Sequence, residues 1–472
     1  MPRTVTILGA GLVGSLLAVI LRKRGYDVTI YERRPDMRKA AIGAGRSINL
    51  AMSERGWRAL DLAGLRDEIA PLAIPMKGRF LHQADGSTAF QPYGKNGEAI
   101  YSVSRGELNK RLMTLAEKEG AVIHFNQRVA QVDVAANKLY VEESDPKLAS
   151  APSSTASASQ NPKSEIQADL LFGADGAFSA LRTAYSHQDR VSARQDYIDY
   201  GYKELSIEPG EGGQWRMERE ALHIWPRGKF MMIALPNPDG SFTCTLFAPF
   251  EGEGSFGQLT TCGDVDEFFQ KNFADVLPLM PDYEDQFFRN PVASLITTHI
   301  SKWHYGKASA LIGDAAHAIV PFYGQGMNAG FEDCTVLDGL IGQHGEDWTA
   351  ILQEYQRIRK PAGDAVAQLA LNNFVEMRDK VADPKFLERK KLEKELGTKY
   401  PEQFASVYEM VSFSHTPYHT ALKCTEAQDT LLEKIMKSPV ADQVTDEPAY
   451  EKAVREWMDE YHKTVKDLDF GK

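Results

Sequence analysis

The sequence has little cysteine, no long apolar run and no block of basic residues. Its four cysteines, in 472 residues, lie far apart and form no CxxC pair, so neither a disulfide framework nor a cysteine-ligated zinc site is expected. The net charge of −11 argues against nucleic acid as a partner. No segment approaches the roughly 18 consecutive apolar residues of a membrane-spanning helix. We therefore expect a soluble, cytoplasmic protein without a metal site or a membrane anchor.

Glycine, in contrast, is concentrated in a few short motifs, and the first lies near the N-terminus. Residues 4–32 predict a strand, a glycine-rich turn, a helix and a second strand. In such a βαβ unit Gly9 permits the tight turn, Gly11 lets a pyrophosphate approach the backbone and Gly14 lets the helix pack on the strand. Glu32, at the end of the second strand, can accept hydrogen bonds from a ribose. The motif predicts a dinucleotide site, does not distinguish NAD from FAD, and disfavours NADP because of the acid.

The segment LIGDAAHAIVPFYGQGMNAGFEDC, residues 311–334, is nearly free of bulky side chains in its middle part. We predict a strand that ends at Asp314, then a loop, then a helix whose N-terminal N–H groups face a ligand. An aspartate placed to contact a ribityl chain, beside backbone donors that face a flat heterocycle, is typical of a flavin site. The cofactor predicted here is FAD, with contacts from Asp314, Gly324, Gly326, Met327 and Asn328.

The middle of the chain predicts a second lobe. Four short runs between residues 200 and 250 alternate apolar and polar positions, which indicates an antiparallel sheet that covers a ligand on one face. Before them, residues 148–165 are rich in Ser, Ala and Pro and predict a flexible insertion at a hairpin tip. The motif GADG, with Asp175, follows a strand after that insertion.

Taken together, the GxGxxG unit, the GADG motif and GDAAHAIVPFYGQGMN resemble the FAD-dependent aromatic hydroxylases, the single-component flavoprotein monooxygenases. In that family the GD aspartate contacts the ribityl chain of FAD, the DG motif serves both FAD and NAD(P)H, and no second dinucleotide domain exists. This chain likewise has no second GxGxxG. The strings RSINLA (46–51) and NFVEMR (373–378) further resemble the branch of the family that hydroxylates L-kynurenine.

The resemblance implies an α/β fold: a Rossmann-type, glutathione-reductase-like FAD-binding domain, an inserted antiparallel substrate domain and a C-terminal helical region that closes the substrate site. The corresponding ranges are 1–75, 101–185 and 301–360 for the FAD-binding domain, 76–100 and 186–300 for the substrate domain, and 361–472 for the helical region.

The resemblance also implies the site residues. A substrate carboxylate would be bound by Arg79, Tyr93, Asn373 and Tyr408, and an apolar wall would be formed by Ile233, Leu235, Phe247 and Phe322. Glu376 and Met377 are expected to share a helix face with Asn373, on a helix that starts after Pro361. Further FAD contacts fall on Arg46, Ala51 and Arg105. His317 is expected to pack or to form a hydrogen bond, because the chemistry needs no histidine base.

The activity that the resemblance implies is conversion of L-kynurenine to 3-hydroxy-L-kynurenine, with NADPH as reductant, O2 as co-substrate and a hydroperoxide of the flavin as the oxygen donor. No side chain is expected to be catalytic. Two alternatives stay open: a related hydroxylase that acts on another anionic aromatic, and a flavin-dependent reductase without oxygenation. The preference for NADPH over NADH and the assembly, for which a homodimer is one candidate, are not determined by the sequence.

Overall fold

The computed structural model describes residues 4–39, 48–94, 97–144, 164–379, 384–438, 447–468 and 470. Arg46 and most of the predicted insertion therefore lie outside the described residues. For Met377 the structure describes the backbone only.

The strands of the described ranges are numbered in chain order. They are β1 (Thr4–Leu8), β2 (Asp27–Tyr31), β3 (Asn49–Met52), β4 (Ala73–Met76), β5 (Gly78–His82), β6 (Thr88–Pro92), β7 (Ile100–Ser104), β8 (Val122–His124), β9 (Gln127–Asp133), β10 (Lys138–Glu143), β11 (Ser164–Gln167), β12 (Leu170–Gly173), β13 (Ala193–Ile207), β14 (Ala221–Arg227), β15 (Phe230–Pro236), β16 (Phe242–Pro249), β17 (Ala293–Ile300), β18 (His304–Tyr305) and β19 (Ser309–Leu311).

The α-helices are numbered in the same way. They are α1 (Leu12–Lys23), α2 (Glu54–Leu62), α3 (Arg66–Ile69), α4 (Arg105–Lys118), α5 (Ala180–Ser186), α6 (Cys262–Asn272), α7 (Tyr283–Arg289), α8 (Asp314–His317), α9 (Gly326–His344), α10 (Trp348–Asp379), α11 (Pro384–Lys399), α12 (Val407–Ser412), α13 (Tyr418–Met436) and α14 (Glu447–Val465). Within the described ranges, each of them falls short of the length or the apolarity that crossing a lipid bilayer requires.

A six-stranded sheet with the order β18-β19-β12-β1-β2-β8 forms the first layer. Its central strands pair in parallel, and β1 lies between β2 and β12. Val5 and Ile7 of β1 are buried, as expected for strands covered on both faces. Helices α1 and α9 come into close contact over this sheet, where a Cβ at Gly330 would meet Val13. The N-terminal ends of two long helices are thereby brought to the carboxyl end of the sheet.

A seven-stranded sheet with the order β17-β13-β16-β15-β14-β5-β6 forms the second layer, with β14 and β5 as its parallel pair. Side chains of β15 alternate between its faces. Met232 and Ala234 are buried in a core that includes Phe269 of α6, whereas Ile233 and Leu235 point to the opposite face. The sheet therefore has one face that packs against α6 and an opposite face that lines a cavity. The remaining strands form two three-stranded sheets, with the orders β11-β10-β9 and β3-β7-β4.

The C-terminal region is helical, from α10 to α14. The prediction that a helix starts after Pro361 is wrong, because α10 runs from Trp348 to Asp379 and Pro361 lies inside it. A proline in a helix interior removes one backbone hydrogen bond. Here buried residues on both sides of it, Tyr355 before and Val366 after, keep the helix packed in two separate cores.

Two boundaries also differ from the predictions. The strand before the GD motif ends at Leu311, and Asp314 is instead the first residue of the one-turn helix α8. The reason is Gly313, whose φ of +61° breaks the strand and starts the turn. In addition, β11 begins at Ser164, so the last two residues of the predicted insertion (148–165) belong to a hairpin strand paired with β10.

Candidate functional site

A large cavity lies between the two main sheets and the C-terminal helices. Its volume is about 2330 Å³, well above the roughly 300–1,000 Å³ of a typical small-molecule site. The cavity therefore has room for more than one ligand. Its lining includes most of the residues predicted to bind FAD and most of those predicted to bind substrate.

The GxGxxG turn forms one end of the cavity. Gly9 has a φ of +93°, which favours glycine, and a Cβ at Gly14 would overlap the carbonyl oxygen of Gly9. Gly11 lines the cavity, and a Cβ added there would meet no described atom within 4 Å. Gly11 is also the N-cap of α1, whose first turn has neither a side-chain cap nor an acidic residue. Gly14 thus serves the packing of α1, and Gly11 leaves open space in front of free N–H groups.

Glu32 lies beside this turn and is 5% exposed. Its Oε2 accepts from the backbone N–H of Ala10 at 2.8 Å, and its Oε1 accepts from the Arg34 backbone at 2.9 Å and from Arg34 Nε at 2.8 Å. Burial alone would raise the pKa of Glu32, but Arg34 and the two backbone donors hold it below its usual range. Arg34 Nη2 also donates to Oε2 at 3.2 Å, so the carboxylate accepts four hydrogen bonds, and a ribose hydroxyl would replace one of these donors. The carboxylate stays ionised at the rim of the turn.

The two other motifs continue along the cavity. Asp175 accepts from the Ala180 N–H at 2.7 Å through Oδ2, while its Oδ1 is buried without a partner among the described groups. Burial raises the pKa of Asp175. Asp314, at the start of α8, also lines the cavity. Both carboxyl groups face the same space, and the unpartnered oxygen of Asp175 fits a ligand hydroxyl that would donate to it.

The N-terminus of α9 supplies the donors expected for a flavin ring. Gly324 has a φ of +67°, and the helix starts at Gly326 without a side-chain cap or an acidic residue in its first turn. Gly324, Gly326 and Met327 line the cavity, as do Ala51 and Arg105 from neighbouring elements. A second helix, α9 with 19 residues, therefore points free N–H groups into the same space as α1.

Asn328 is an exception among the predicted FAD contacts. It is fully buried and does not line the cavity. Its Oδ1 accepts from the Ser53 N–H, and its Nδ2 donates to the carbonyl oxygens of Ala51 and Gly324, each at 2.9 Å. The side chain is thus fully used in fixing the loop to β3, and the predicted contact of the Asn328 backbone N–H with the cofactor stays a prediction.

The arrangement fits FAD. Two uncapped helix N-termini suit phosphate and a polarisable ring, the space before Gly11 suits a pyrophosphate, and the unpartnered Asp175 oxygen suits a hydroxyl. The residues positioned to hold FAD are Gly9, Gly11, Glu32, Ala51, Arg105, Asp175, Asp314, Gly324, Gly326 and Met327.

At the other end of the cavity, Arg79 of β5 lies against two tyrosine rings. Its guanidinium carbon is 4.6 Å from the ring centre of Tyr408 and 5.6 Å from that of Tyr93. The two rings stack with centroids 5.3 Å apart. Among the described residues no carboxylate pairs with Arg79. The Tyr93 hydroxyl is buried without a hydrogen bond of normal geometry to a described group, and burial raises its pKa well above the usual range.

Two of the three residues predicted to share a face of α10, Asn373 and Glu376, have described side chains. The Nδ2 of Asn373 donates to the Phe322 carbonyl oxygen at 2.7 Å, which ties α10 to the loop before α9. Both Asn373 and Glu376 line the cavity. Glu376 lies 3.9 Å from Lys390 of α11, so its partner is a lysine at the cavity mouth.

The four residues predicted to form an apolar wall all line the cavity: Ile233, Leu235, Phe247 and Phe322. The rings of Phe247 and Phe322 lie 5.0 Å apart. Sequence reasoning missed Met231 and Thr245, which line the same wall. The alternation along β15 and β16 was the available signal, since 231 shares a face with 233 and 235, and 245 shares one with 247.

His317 does not line the cavity. It is 2% exposed, its ring stacks on Trp303 at 5.0 Å, and its Nε2 lies 2.6 Å from Asp333 Oδ2. Its packing and hydrogen-bonding role is in line with the prediction.

With this geometry in hand, comparisons with known proteins are informative. Residues 3–370 match the family model described as an FAD binding domain. The chain is 47% identical over 437 residues to kynurenine 3-monooxygenase from Christiangramia forsetii, covering 93% of this chain and 94% of that protein. It is 45% identical over 454 residues to kynurenine 3-monooxygenase from Flavobacterium johnsoniae, a match that covers 96% of this chain and 98% of that protein. It is 47% identical over 444 residues to kynurenine 3-monooxygenase from Myxococcus xanthus, which covers 93% of this chain and 92% of that protein.

Solved structures with low sequence identity share the fold. A tetrameric form of 2-methyl-3-hydroxypyridine-5-carboxylic acid oxygenase superposes with a TM-score of 0.62 at 19% identity, covering 81% of this chain and 94% of that one. P. aeruginosa PqsL in complex with 2-aminobenzoylacetate gives a TM-score of 0.61 at 16% identity, covering 80% and 96%. These comparisons confirm the predicted fold, the resemblance to the aromatic hydroxylases and FAD as the cofactor. The chain belongs to the kynurenine 3-monooxygenase family of FAD-binding flavoprotein monooxygenases.

Proposed function

We propose that this protein hydroxylates L-kynurenine to 3-hydroxy-L-kynurenine, with FAD bound in the cavity and with NADPH and O2 as co-substrates. The observation that carries the proposal is the half-buried cation of Arg79, which faces two tyrosines and has no carboxylate partner among the described residues. The names of the relatives support the same substrate.

At the polar end, the α-carboxylate of the substrate would pair with Arg79. A guanidinium presents a planar fork that matches a carboxylate in two parallel hydrogen bonds. The buried Tyr93 hydroxyl stays protonated because burial raises its pKa, so it would donate a further hydrogen bond. Together with Tyr408, which stacks on Tyr93, and Asn373, which lines the cavity beside Phe322, these groups would fix the amino-acid part of the substrate.

At the apolar end, the aromatic ring would lie against Ile233, Leu235, Phe247 and Phe322. This wall excludes water and orients the ring relative to the N-terminus of α9. FAD, when bound, supplies the electron transfer and oxygen chemistry of the reaction. The ring amino group of kynurenine activates the adjacent carbon, so the protein's contribution is orientation and a dry cavity, and no side-chain base is required.

The test is NADPH oxidation by the purified yellow protein, with and without L-kynurenine, with the product identified by mass. We expect stimulated oxidation and a product that is heavier by one oxygen atom. Arg79→Ala and Asn373→Ala are expected to weaken saturation by kynurenine while the protein still carries FAD. Wild-type saturation in both variants would mean that the assigned pocket is wrong.

The same assay separates the alternatives. A protein that carries FAD but ignores kynurenine, and responds to another anionic aromatic, would be a sister hydroxylase. NADPH oxidation that yields no oxygenated product with any aromatic acid would indicate a reductase. NADH in place of NADPH, at equal concentration, measures the coenzyme preference.

Three further predictions belong to this proposal: the domain ranges given above, a homodimer and a cytoplasmic location. Sedimentation velocity of the FAD-loaded protein tests the assembly, and a monomer at micromolar concentration would contradict the homodimer.

A further inference from the structure

We infer that Arg55 is a positioning residue for the substrate site: it holds the C-terminal end of α12 so that Tyr408, on the same helix, reaches Arg79. The inference rests on the proposed function for its substrate, L-kynurenine. Arg55 itself does not line the cavity, so any effect on substrate must pass through α12.

The side chain of Arg55 is 1% exposed, and its donors are used across two parts of the chain. It pairs with Glu332 of α9 through Nη1. Its Nε donates to the Val411 carbonyl oxygen at 3.2 Å, and its Nη2 donates to the carbonyl oxygens of Thr416 and, at 3.5 Å, Met410. One guanidinium thus connects the FAD-binding layer to three carbonyl groups of the C-terminal region.

Two of those carbonyl groups, Met410 and Val411, lie at the end of the short helix α12, whereas Thr416 lies in the segment that follows it. The Met410 carbonyl oxygen also accepts from Ser414 Oγ at 2.7 Å. The last C=O groups of an α-helix have no intrahelical donor and carry the negative end of its dipole. Helix α12 ends at Ser412, so the carbonyls of Met410 and Val411 belong to its last turn. Its other end is closed by a capping box between Ser406 and Glu409. The buried arginine therefore serves as the C-terminal cap of α12.

The first turn of α12 carries the substrate contact. Tyr408 lies over Arg79 at 4.6 Å and stacks on Tyr93. Because α12 has only six residues, a shift at its last turn displaces its first turn as well. The Tyr418 ring also packs against the Arg55 guanidinium, with 4.1 Å between the ring centre and the guanidinium carbon.

Arg55 also belongs to a network of buried ion pairs that extends to Gly313, at the start of the GD motif. Glu332 also accepts from Arg359 Nη1 at 2.5 Å, and Arg359 Nε donates to Asp333 Oδ1 at 2.6 Å. Asp333 Oδ2 accepts from the backbone N–H of Gly313 at 3.0 Å, directly before the GD aspartate. These two arginines and two carboxylates therefore connect the GD motif at one end of the cavity to helix α12 at the other end.

Two graded variants test this. Arg55→Lys keeps the charge but loses the planar fork, so it cannot reach Glu332 and three carbonyl groups at once. Arg55→Met keeps the length of the stem and removes the charge. Arg66→Lys is the matched control, since Arg66 lies in the adjacent helix, is 46% exposed and pairs with Asp61 at the surface.

The measurements are made on FAD-loaded protein: FAD content, KM for L-kynurenine and for NADPH, kcat, and hydrogen–deuterium exchange of the amides in 407–418. We expect Arg55→Lys to raise KM for kynurenine about tenfold and Arg55→Met to raise it further. KM for NADPH and FAD content should change less than twofold, and exchange in 407–418 should be about tenfold faster. The control should match wild type throughout.

Wild-type KM for kynurenine with wild-type exchange in 407–418 would overturn the inference. So would a parallel loss of FAD content, NADPH affinity and kynurenine affinity, because that pattern indicates a structural role alone. If the wild-type protein ignores kynurenine, the proposed function fails, whereas the exchange measurement still decides whether Arg55 holds α12.

Discussion

Tyr408 lies over Arg79, with 4.6 Å between its ring centre and the guanidinium carbon, although one belongs to a helix near the C-terminus and the other to a strand of the first hundred residues. The contact joins the C-terminal helices to the seven-stranded sheet at the polar end of the cavity. It places a cation at the cavity wall, against two tyrosine rings that stack on each other.

Replacing Arg79 by lysine should weaken substrate binding even though the charge is kept. A lysine cannot form two parallel hydrogen bonds to a carboxylate, and its compact ammonium is more strongly hydrated. Losing one charged hydrogen bond corresponds to about 1.5–3 kcal/mol, or roughly ten- to a hundredfold in Kd. Titration of the flavin absorbance with L-kynurenine measures this, and Lys77→Met, at an exposed surface pair with Glu220, is the control. An unchanged Kd for Arg79→Lys would rule out bidentate binding.

The variant Tyr93→Phe should lower the affinity for substrate without lowering the stability of the fold. The hydroxyl is buried without a partner of normal geometry, so its removal should leave the free energy of unfolding unchanged or raise it by about 1 kcal/mol. Affinity for kynurenine should fall, since the hydroxyl is expected to donate to the carboxylate. Tyr185→Phe is the opposite control: its hydroxyl donates to Ser309 Oγ at 2.8 Å, so that variant should lose stability. Urea denaturation and substrate titration give the two quantities, and a destabilised Tyr93→Phe would contradict the assignment.

The glycines of the first motif should behave differently from one another. Gly14→Ala places a Cβ against the Gly9 carbonyl oxygen and should destabilise the fold, whereas Gly11→Ala meets no described atom and should fold but bind FAD weakly. Gly339→Ala, in α9 with open space around it, should be neutral or stabilise by up to about 1 kcal/mol. Thermal unfolding of the apoprotein and FAD titration distinguish the three. Full FAD affinity in Gly11→Ala would show that no phosphate approaches that position.

Acidification should weaken the folded state through His82. Burial is the main reason why the pKa of His82 is lowered to about 4. The neighbouring His223, whose Nδ1 lies 2.9 Å from His82 Nε2, lowers the pKa further. Arg227 also lowers it, whereas Asp275 raises it. An unfolded histidine titrates near 6.5, so between pH 6.5 and 4 the unfolded chain takes up a proton that the folded chain does not. Stability therefore falls as the pH drops through that window, by roughly 1–2 kcal/mol for this group.

The variant His82→Gln tests this dependence. It should flatten the fall of the free energy of unfolding between pH 6.5 and 4.5, measured by urea denaturation. His344→Gln, at an exposed position on α9, should keep the wild-type slope. Equal slopes in all three proteins would contradict a lowered pKa for His82.

The sequence alone determined the features that depend on local geometry. The turn at Gly9, the position of Glu32 after β2 and the start of α9 at Gly326 all follow from which residues can adopt a given backbone conformation or end an element. Such constraints act within a few residues, so they can be read along the chain. The substrate residues were reached from a family resemblance, since an isolated arginine or tyrosine carries no local signal.

Only the tertiary structure decided which groups meet across long separations. It placed Arg79, Tyr93 and Tyr408 around one point, and it used every polar atom of the Asn328 side chain inside the protein instead of in the cavity. It also carried α10 through Pro361, because packing on both sides of the proline outweighs one lost hydrogen bond. The burial of Arg55 against the carbonyls of α12 is of the same kind, since those carbonyls lie more than three hundred residues away along the chain. Contacts of this kind depend on how distant elements pack, and no pattern within a single segment encodes them.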